Sequence, residues 1–287
     1  MNITGQTKLV GVFGYPVGHS LSPHMHNAAF QHLGMDWCYL PFAVAPDNFD
    51  QALRALPALN IVGVNMTIPL KQHALRAVDE IVPPGDLVGA VNTVHCRDDK
   101  LLGYNTDVEA FTRSLTERAE DMTGRTVVVL GAGGAAHGAV VALAQMGAAR
   151  VWVVARRLEQ GARTAELARQ ARSGAQGAAI AWEKSAVGRA VNAADAVVNA
   201  TPIGMYPHPE DEPPVRAEWL RPGMLVYDMV YNPSTTGLLA RAEERGCRVV
   251  GGRRMLVLQG ATAFTIWTGR AAPVEVMHDA LARALSG

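Results

Sequence analysis

Two serines near the start of the chain precede a predicted helix. Ser20 and Ser22 precede Pro23, and a serine directly before a proline predicts Ser22 as the N-cap and Pro23 as the first helical residue. Two hydroxyls there can bind an anion, because the free N–H groups of the first helical turn add to their donors. The same serines can also be plain helix caps, so both interpretations stay open. His24 and His26 lie two residues apart and do not share a helix face, so no metal site is expected.

A second group of polar residues follows predicted strands further along the chain. Asn65 and Thr67 end one strand, and Lys71 begins the helix predicted after it. Asn92 lies near the start of a predicted hairpin and Asp107 follows its end, and open α/β sheets bind ligands where strands end. A lysine at the positive end of a helix is unfavourable unless it has a purpose. A single pair of this kind is more often a solvated lysine and a capping aspartate than a ligand site, so the residues alone leave both interpretations of Lys71 and Asp107 open.

A glycine-rich turn lies in the middle of the chain, between a β-branched strand and an alanine-rich helix. The run from Thr126 ends at Gly131, and Ala136 fills the third position of a G-x-G-x-x-A pattern. These glycines permit a tight turn and a close approach of the backbone to a pyrophosphate, which the helix N-terminus attracts. The sequence therefore predicts a dinucleotide site at this turn. Its contacts are assigned to Gly131, Ala132, Gly133, Gly134 and Ala135.

The strand after this turn indicates which dinucleotide is bound. NAD-specific sites place an acidic residue at the end of this second strand, where it bonds the ribose 2′-hydroxyl. Here that place holds Ala155, and Arg156 and Arg157 follow directly. Paired guanidiniums suit a 2′-phosphate dianion, so the sequence predicts NADP. Two surface arginines at a helix start, or a ribose contact from Glu159, are the alternatives.

Strands and helices alternate around these residues. Strand patterns at 9–14, 37–44 and 61–67 alternate with helices at 24–33, at 46–56 and up to about residue 78. A hairpin is predicted over 90–104 and a helix over 108–119. Later strands are expected at 126–130, 150–154, 194–198 and 224–228, and two terminal helices at 255–267 and 273–285. This alternation predicts an α/β protein with parallel sheets.

Length and composition bound the class of protein. At 287 residues the chain suggests two domains, because single cores stop growing at about 250–300 residues. The 26 Lys and Arg residues balance 26 Asp and Glu, which leaves no electrostatic footprint for nucleic acid. No apolar run approaches ~18 residues and no signal peptide is evident, so no membrane association is expected. Cys38, Cys96 and Cys247 are isolated, which is typical of reduced cytoplasmic thiols.

Segments along almost the whole chain resemble the shikimate dehydrogenase family, which includes the quinate/shikimate dehydrogenases. Each segment alone is weakly specific, but they occur together in the family's order. The matching segments are Ser20-Leu-Ser22-Pro23, Asn65-Met-Thr67-Ile-Pro69-Leu-Lys71, Gly89-Ala-Val-Asn92-Thr93, Gly103-Tyr-Asn105-Thr-Asp107, Gly131-Ala-Gly-Gly-Ala135, Asn199-Ala-Thr201-Pro-Ile-Gly-Met205, Asp228-Met-Val-Tyr231 and Gln259.

The resemblance implies an α/β fold of two domains. A mostly parallel substrate-binding domain would comprise residues 1–106, completed by the C-terminal helices of 252–287, and an inserted Rossmann-type NADP domain would comprise 107–251. It implies a cytoplasmic oxidoreductase that reversibly reduces 3-dehydroshikimate to shikimate with NADPH, in the chorismate pathway of aromatic amino-acid biosynthesis. The implied partners are these small molecules, and no partnership with nucleic acid, membrane or metal is implied. The implied assembly is a monomer or a homodimer.

The resemblance also assigns roles to side chains. Ser20 and Ser22 match residues that bind the substrate carboxylate, and Lys71 and Asp107 match the catalytic pair at the reacting oxygen. Hydride transfer leaves negative charge on that oxygen, so an ammonium and an orienting carboxylate suit it, and either could transfer the proton. Matches to residues that line the substrate ring and its hydroxyls are Asn65, Thr67, Asn92, Tyr231 and Gln259. Further cofactor contacts are expected from Thr201, Met205 and Gly252.

Two segments depart from the family's pattern. Ala155-Arg156-Arg157 stands where the family usually has Asn-Arg-Thr, which removes one polar contact and adds charge. Arg253-Arg254 precedes Met255, where relatives usually carry a small residue, so Arg254 either crowds the nicotinamide side or points to solvent.

Three other classes of protein stay open. A quinate/shikimate dehydrogenase with broader substrate and NAD use is the nearest, although relatives that accept quinate tend to carry Thr where this chain has Ser22. A non-catalytic ligand sensor on the same fold would have lost the pair that Lys71 and Asp107 retain. A Rossmann methyltransferase would not need paired arginines after its second strand.

Overall fold

The computed structural model describes residues 3–67 and 69–286 and divides into two compact units. One unit comprises Met1–Thr106 with Val257–Gly287, and the other comprises Asp107–Leu256. The second unit is therefore inserted in sequence between the two parts of the first. Met1, Asn2 and Gly287 of the predicted domains, and Ile68 of the segment from Asn65 to Lys71, lie outside the described residues.

A six-stranded sheet forms the centre of the first unit. Its strands are β1 (Lys8–Gly14), β2 (Trp37–Ala43), β3 (Ile61–Met66), β4 (Glu80–Ile81), β5 (Thr93–Arg97) and β6 (Lys100–Tyr104). They lie in the order β2-β1-β3-β5-β6-β4. All pairings are parallel except those of β5, which is antiparallel to β3 and to β6. Because β5 is reversed, its first residues lie at the edge where β1, β3 and β6 end.

Short helices and two long C-terminal helices cover this sheet. The helices of the first unit are α1 (Ser22–His32), α2 (Phe49–Arg54), α3 (Ala74–Ala77), α4 (Gly85–Val88), the later residues of α10 (Arg253–Thr268), and α11 (Val274–Ser286). A core of apolar side chains, among them Phe13, Phe49 and Val64, fills the space against the strands. The indole N–H of Trp267 donates to the Val94 carbonyl oxygen (3.0 Å), which ties α10 to the sheet.

The second unit contains a fully parallel sheet. Its strands are β7 (Thr126–Leu130), β8 (Arg150–Ala155), β9 (Gln176–Ala181), β10 (Ala196–Asn199), β11 (Leu225–Asp228) and β12 (Arg248–Gly251). They lie in the order β12-β11-β10-β7-β8-β9. Its helices are α5 (Asp107–Thr116), α6 (Gly134–Gln145), α7 (Leu158–Ala171), α8 (Lys184–Ala193), α9 (Gly237–Glu244) and the first residues of α10. This is the strand order of a Rossmann sheet, and it reverses between β7 and β10, where such sheets bind nucleotides.

The predicted α/β class is confirmed by these two sheets. Apolar strands such as β7, whose five residues are all buried, need helices on both faces of the sheet. None of the helices in the described part of the chain is long and apolar enough to cross a membrane. Across residues 3–67 and 69–286, no cluster of three or more His, Cys, Asp or Glu side chains could hold a metal ion.

Candidate functional site

The polar segments of the first unit meet where β1, β3 and β6 end and β5 begins, an edge of the sheet that we call the polar edge. The Thr67 N–H donates to the Phe13 carbonyl oxygen (2.9 Å) at the end of β1. The Met66 N–H donates to the Asn92 carbonyl oxygen (2.8 Å), and the Asn92 N–H donates to the Tyr104 carbonyl oxygen (3.0 Å). Backbone hydrogen bonds therefore bring the segments of Thr67 and Asn92 to one place.

Ser20 and Ser22 lie in and after the loop that follows β1, and both are half-buried. The Ser22 N–H donates to the Ser20 hydroxyl oxygen (3.4 Å), so Ser20 takes the role of a local cap. The prediction that Ser22 is the N-cap was wrong by one residue: Leu21 holds that position, and Ser22 and Pro23 lie in the first turn of α1.

A buried tyrosine orients one of the predicted substrate residues. The Tyr39 hydroxyl donates to Asn65 Oδ1 (2.8 Å), and the Ser22 side chain lies nearby. Burial raises the pKa of Tyr39 far above its usual range, so the group stays a neutral phenol. Asn65 Nδ2 donates to Thr93 Oγ1 (2.9 Å) and to the Asn92 carbonyl oxygen (3.3 Å). Both amide hydrogens and one lone pair of Asn65 are therefore engaged within the unit.

Asn92 is held by its neighbours in the same way. Its Oδ1 accepts from the Thr106 N–H (2.9 Å) and from Thr93 Oγ1 (3.1 Å), and its Nδ2 donates to Thr106 Oγ1 (3.0 Å). Asn105 Nδ2 donates to the Ala90 carbonyl oxygen (2.9 Å). All of these groups are buried, which makes the polar edge a fixed arrangement of hydrogen-bonding groups.

Lys71 lies in a single 3₁₀ turn, Leu70–Gln72, ahead of the four-residue helix α3. Its side chain is half-buried, and its carbonyl oxygen accepts from the Val91 N–H (3.1 Å) beside the polar edge. The continuous helix predicted from here to about Val78 was wrong, because the chain forms two short segments. Because no regular α-helix begins at Lys71, a helix dipole does not make a lysine unfavourable at this position.

Gln259 is a half-buried residue of α10, next to Gly260, which packs against His26. The His26 ring stacks on Tyr39 with 4.3 Å between ring centroids. His26 is fully buried, and neither ring nitrogen has a hydrogen-bond partner within the described residues. Burial lowers its pKa from 6.5 to about 3, so the structure places His26 in the core as a neutral ring.

In the second unit the glycine turn joins β7 to α6. Gly131 has a φ of +105°, and a Cβ there would lie 3.0 Å from the Thr201 methyl carbon, so both conformation and space require glycine. Gly133 precedes α6 as its N-cap, and no atom lies within 4 Å of the position that a Cβ would take. The first amides of α6 have no acceptor within the helix. The turn at Gly133 therefore presents an open backbone surface beside the first amides of α6, which fits a pyrophosphate.

A buried carboxylate organises the loops after β10 and β11. Asp228 accepts from Asn199 Nδ2 (2.9 Å), from the Val230 N–H (3.0 Å) and from Thr236 Oγ1 (2.6 Å). Burial raises the Asp228 pKa despite these bonds. Thr201 Oγ1 donates to Asn199 Oδ1 (2.6 Å), so the segment that leads to Met205 begins at this network.

Gly252 and Tyr231 lie on the segments after β12 and β11. A Cβ at Gly252 would overlap the Met229 carbonyl oxygen, so the glycine is required by packing. Tyr231 is half-buried, and burial raises its pKa.

Arg254 pairs with Glu117 (2.7 Å) and lowers the pKa of that carboxyl. The ion pair with Glu117, which directly follows α5, gives Arg254 a structural role that neither of the two sequence-based alternatives contained.

Arg156 and Arg157 directly follow β8 and are exposed. Neither forms an ion pair with a carboxylate of the described residues, whereas Glu159 pairs with Arg163 (2.6 Å). This pairing disfavours the alternative in which Glu159 contacts a ribose.

Asp107 is the buried first residue of α5, where the helix dipole favours a carboxylate.

Comparison with known proteins gives consistent matches over the whole chain. A family described as the shikimate dehydrogenase substrate binding domain matches residues 12–94, and one described as the shikimate 5′-dehydrogenase C-terminal domain matches residues 252–282. The shikimate dehydrogenase (NADP(+)) of Methanothermobacter thermautotrophicus is 44% identical over 99% of both chains.

Solved structures agree with the sequence matches. A shikimate dehydrogenase in complex with NADP+ superimposes with a TM-score of 0.92 at 36% identity, covering 100% of this chain and 98% of that one. The enzyme of Thermus thermophilus, in complex with NADP(H) and shikimate, gives a TM-score of 0.86 at 34% identity, covering 97% of this chain and 100% of that one.

Proposed function

This chain belongs to the shikimate dehydrogenase family, and from that premise we propose that it catalyses the reversible, NADPH-dependent reduction of 3-dehydroshikimate to shikimate. The reaction belongs to the chorismate pathway of aromatic amino-acid biosynthesis. The observation that carries the proposal is the full-length similarity to enzymes named shikimate dehydrogenase (NADP(+)). A polar edge rich in fixed Asn, Thr and Ser side chains suits a substrate that carries several hydroxyls.

The cofactor of the proposed reaction is NADP, which supplies the hydride when it is bound. Support comes from the second unit, where Ala155 replaces the acidic residue of NAD-specific sites. The exposed Arg156 and Arg157 lack carboxylate partners in the described chain, so their charge is available to a 2′-phosphate. We assign the remaining cofactor contacts to Gly131, Ala132, Gly133, Gly134, Ala135, Thr201, Met205 and Gly252.

Lys71 and Asp107 are the proposed catalytic pair. Negative charge that develops on the reacting oxygen is stabilised by an ammonium, which can also donate a proton. Lys71 supplies the ammonium beside the polar edge, where the Val91 N–H fixes its backbone. Asp107 supplies a carboxylate that orients the ammonium and the substrate hydroxyl.

The substrate contacts are assigned from the resemblance to the family. Ser20 and Ser22 bind the carboxylate through their hydroxyls and the start of α1. The proposed contacts to the ring and its hydroxyls are Asn65, Thr67, Asn92, Tyr231 and Gln259. The proposed substrate domain comprises residues 1–106 and 252–287, and the proposed NADP domain comprises residues 107–251. The protein is proposed to be a cytoplasmic monomer or homodimer without a nucleic-acid partner.

One steady-state experiment tests this function. The absorbance of reduced nicotinamide is followed with shikimate or quinate, each with NADP or NAD. Fast turnover of shikimate with NADP alone supports the proposal, and comparable rates with quinate or NAD indicate the broader enzyme. Turnover in none of the four combinations, with shikimate still bound, would indicate a ligand sensor.

A further inference from the structure

Gln160 joins the glycine turn to one of the two exposed arginines. Its Nε2 donates to the Ala132 carbonyl oxygen (2.9 Å), within the turn between β7 and α6. Its Oε1 accepts from both Nε and Nη2 of Arg157 (3.1 and 2.8 Å). A single amide thus connects the backbone that faces a pyrophosphate to a guanidinium at the end of β8.

The packing of α7 explains why Gln160 reaches the turn. A Cβ on Gly161 would lie 2.9 Å from the Ala155 Cβ, so α7 begins directly against the end of β8. The Gly161 N–H donates to the Arg157 carbonyl oxygen (3.0 Å), and Thr164 Oγ1 donates to the Gln160 carbonyl oxygen (2.9 Å). The backbone of Gln160 is therefore fixed on both sides.

The chemistry of an amide is important at this position. A carboxylate in place of Gln160 would neutralise Arg157 and could not donate to the Ala132 carbonyl oxygen. The amide orients the guanidinium and leaves its positive charge available. Arginine carries five N–H donors, and two of those of Arg157 are used by Gln160, so three remain for an anion.

We propose that Gln160 is a positioning residue that sets the preference for NADP over NAD by holding Arg157 beside the glycine turn. The 2′-phosphate then meets a guanidinium whose orientation is already fixed, and less side-chain entropy is lost on binding. Within the described residues Arg156 has no such anchor, and its role is to contribute charge. This inference rests on the proposed use of NADP.

The test measures the binding of two nucleotides to the full chain by isothermal titration calorimetry. Adenosine 2′,5′-bisphosphate reports the 2′-phosphate site, and adenosine 5′-monophosphate reports the rest of the adenosine site. For Gln160→Leu we expect the Kd of the bisphosphate to rise about 10-fold, the loss of one oriented charge-assisted contact. For Gln160→Glu, which also cancels charge, the rise should be about 30-fold or more. The Kd of the monophosphate should change by less than about twofold for both variants.

Gln170 offers a matched control, because it is an exposed glutamine on the same helix. Gln170→Leu and Gln170→Glu repeat each change in side chain and charge and should leave both Kd values unchanged. The ratio of kcat/KM with NADP to that with NAD should fall in the Gln160 variants and remain constant in the controls.

The outcomes separate the inference from the proposed function. Wild-type selectivity for the bisphosphate in both Gln160 variants would overturn the role of Gln160, and so would an equal loss of both nucleotides. A wild-type protein that binds the bisphosphate no more tightly than the monophosphate would overturn the use of NADP itself, and the inference with it.

Discussion

Replacing Tyr39 by phenylalanine removes one hydroxyl from beneath the polar edge and keeps the aromatic ring. The ring continues to stack on His26, as the tyrosine ring does at 4.3 Å between centroids. One hydrogen bond is lost, the one to Asn65 Oδ1. The variant therefore isolates the hydroxyl that orients a proposed substrate residue.

The expected loss of stability in this variant follows from the burial of Asn65. Asn65 is 5% exposed, so its Oδ1 loses its donor in a place that water does not easily reach. A buried acceptor left without a donor costs about 1–3 kcal/mol, and we expect the free energy of unfolding to fall by that amount. Since Asn65 loses its fixed orientation, the KM for shikimate should rise about 5- to 10-fold, a change of about 1–1.4 kcal/mol.

Two measurements check this prediction: urea unfolding, and initial rates against shikimate at saturating NADP. We expect kcat to stay within about threefold, because the reacting atoms are not touched. Tyr227→Phe is the matched control, since Tyr227 is also fully buried and its hydroxyl bonds Ser114 (2.8 Å). It should lose similar stability without a change in the KM for shikimate. An unchanged KM in a folded Tyr39→Phe protein would refute the role of the hydroxyl.

Two further predictions concern stability. Burial lowers the pKa of His26 from 6.5 to about 3, so the neutral ring contributes stability above about pH 6.5 that is lost as the pH falls towards about 3. The unfolding free energy of His26→Leu should therefore fall less than that of the wild type between about pH 7 and about pH 4 in urea titrations, and an equal fall would contradict this. Gly252→Ala should cost about 1–3 kcal/mol in thermal unfolding because the new methyl group overlaps the Met229 carbonyl oxygen. Gly5→Ala, with no atom within 4 Å of the new methyl group, should cost nothing comparable, and equal costs would contradict the packing argument.

Sequence patterns predicted the elements whose local signals agree with their packing. The hairpin expected over 90–104 is formed by β5 and β6, and the β-branched run from Thr126 is the central strand β7. Strand β9 was not identified, because its alanines and Gly177 carry no alternation and favour a helix locally. The packing of this strand against α7 requires the glycine: the Ala165 carbonyl oxygen lies so close to Gly177 that no Cβ would fit.

The candidate sites were predictable to the extent that they rest on local motifs. The glycine turn, its position between strand and helix, and the two arginines were all evident from spacing. The roles of Tyr39 and Gln160 were not, because Asn65 and Ala132, to which they donate, are 26 and 28 residues away in the chain and no short pattern encodes such contacts. A lone tyrosine in a strand, or a glutamine in a helix, is typical of many proteins.

The most direct test of the proposed chemistry compares shikimate oxidation by the wild type and by Lys71→Ala, each with saturating NADP. The wild type should form NADPH, and the folded variant should be slower in kcat by roughly 10²-fold or more, the usual loss of a general acid–base group. NADP binding should be unchanged in the variant, and Lys100→Ala, at an exposed lysine, should leave kcat at the wild-type value. Near-normal turnover in a folded Lys71→Ala protein, or no NADPH from the wild type, would contradict the proposal.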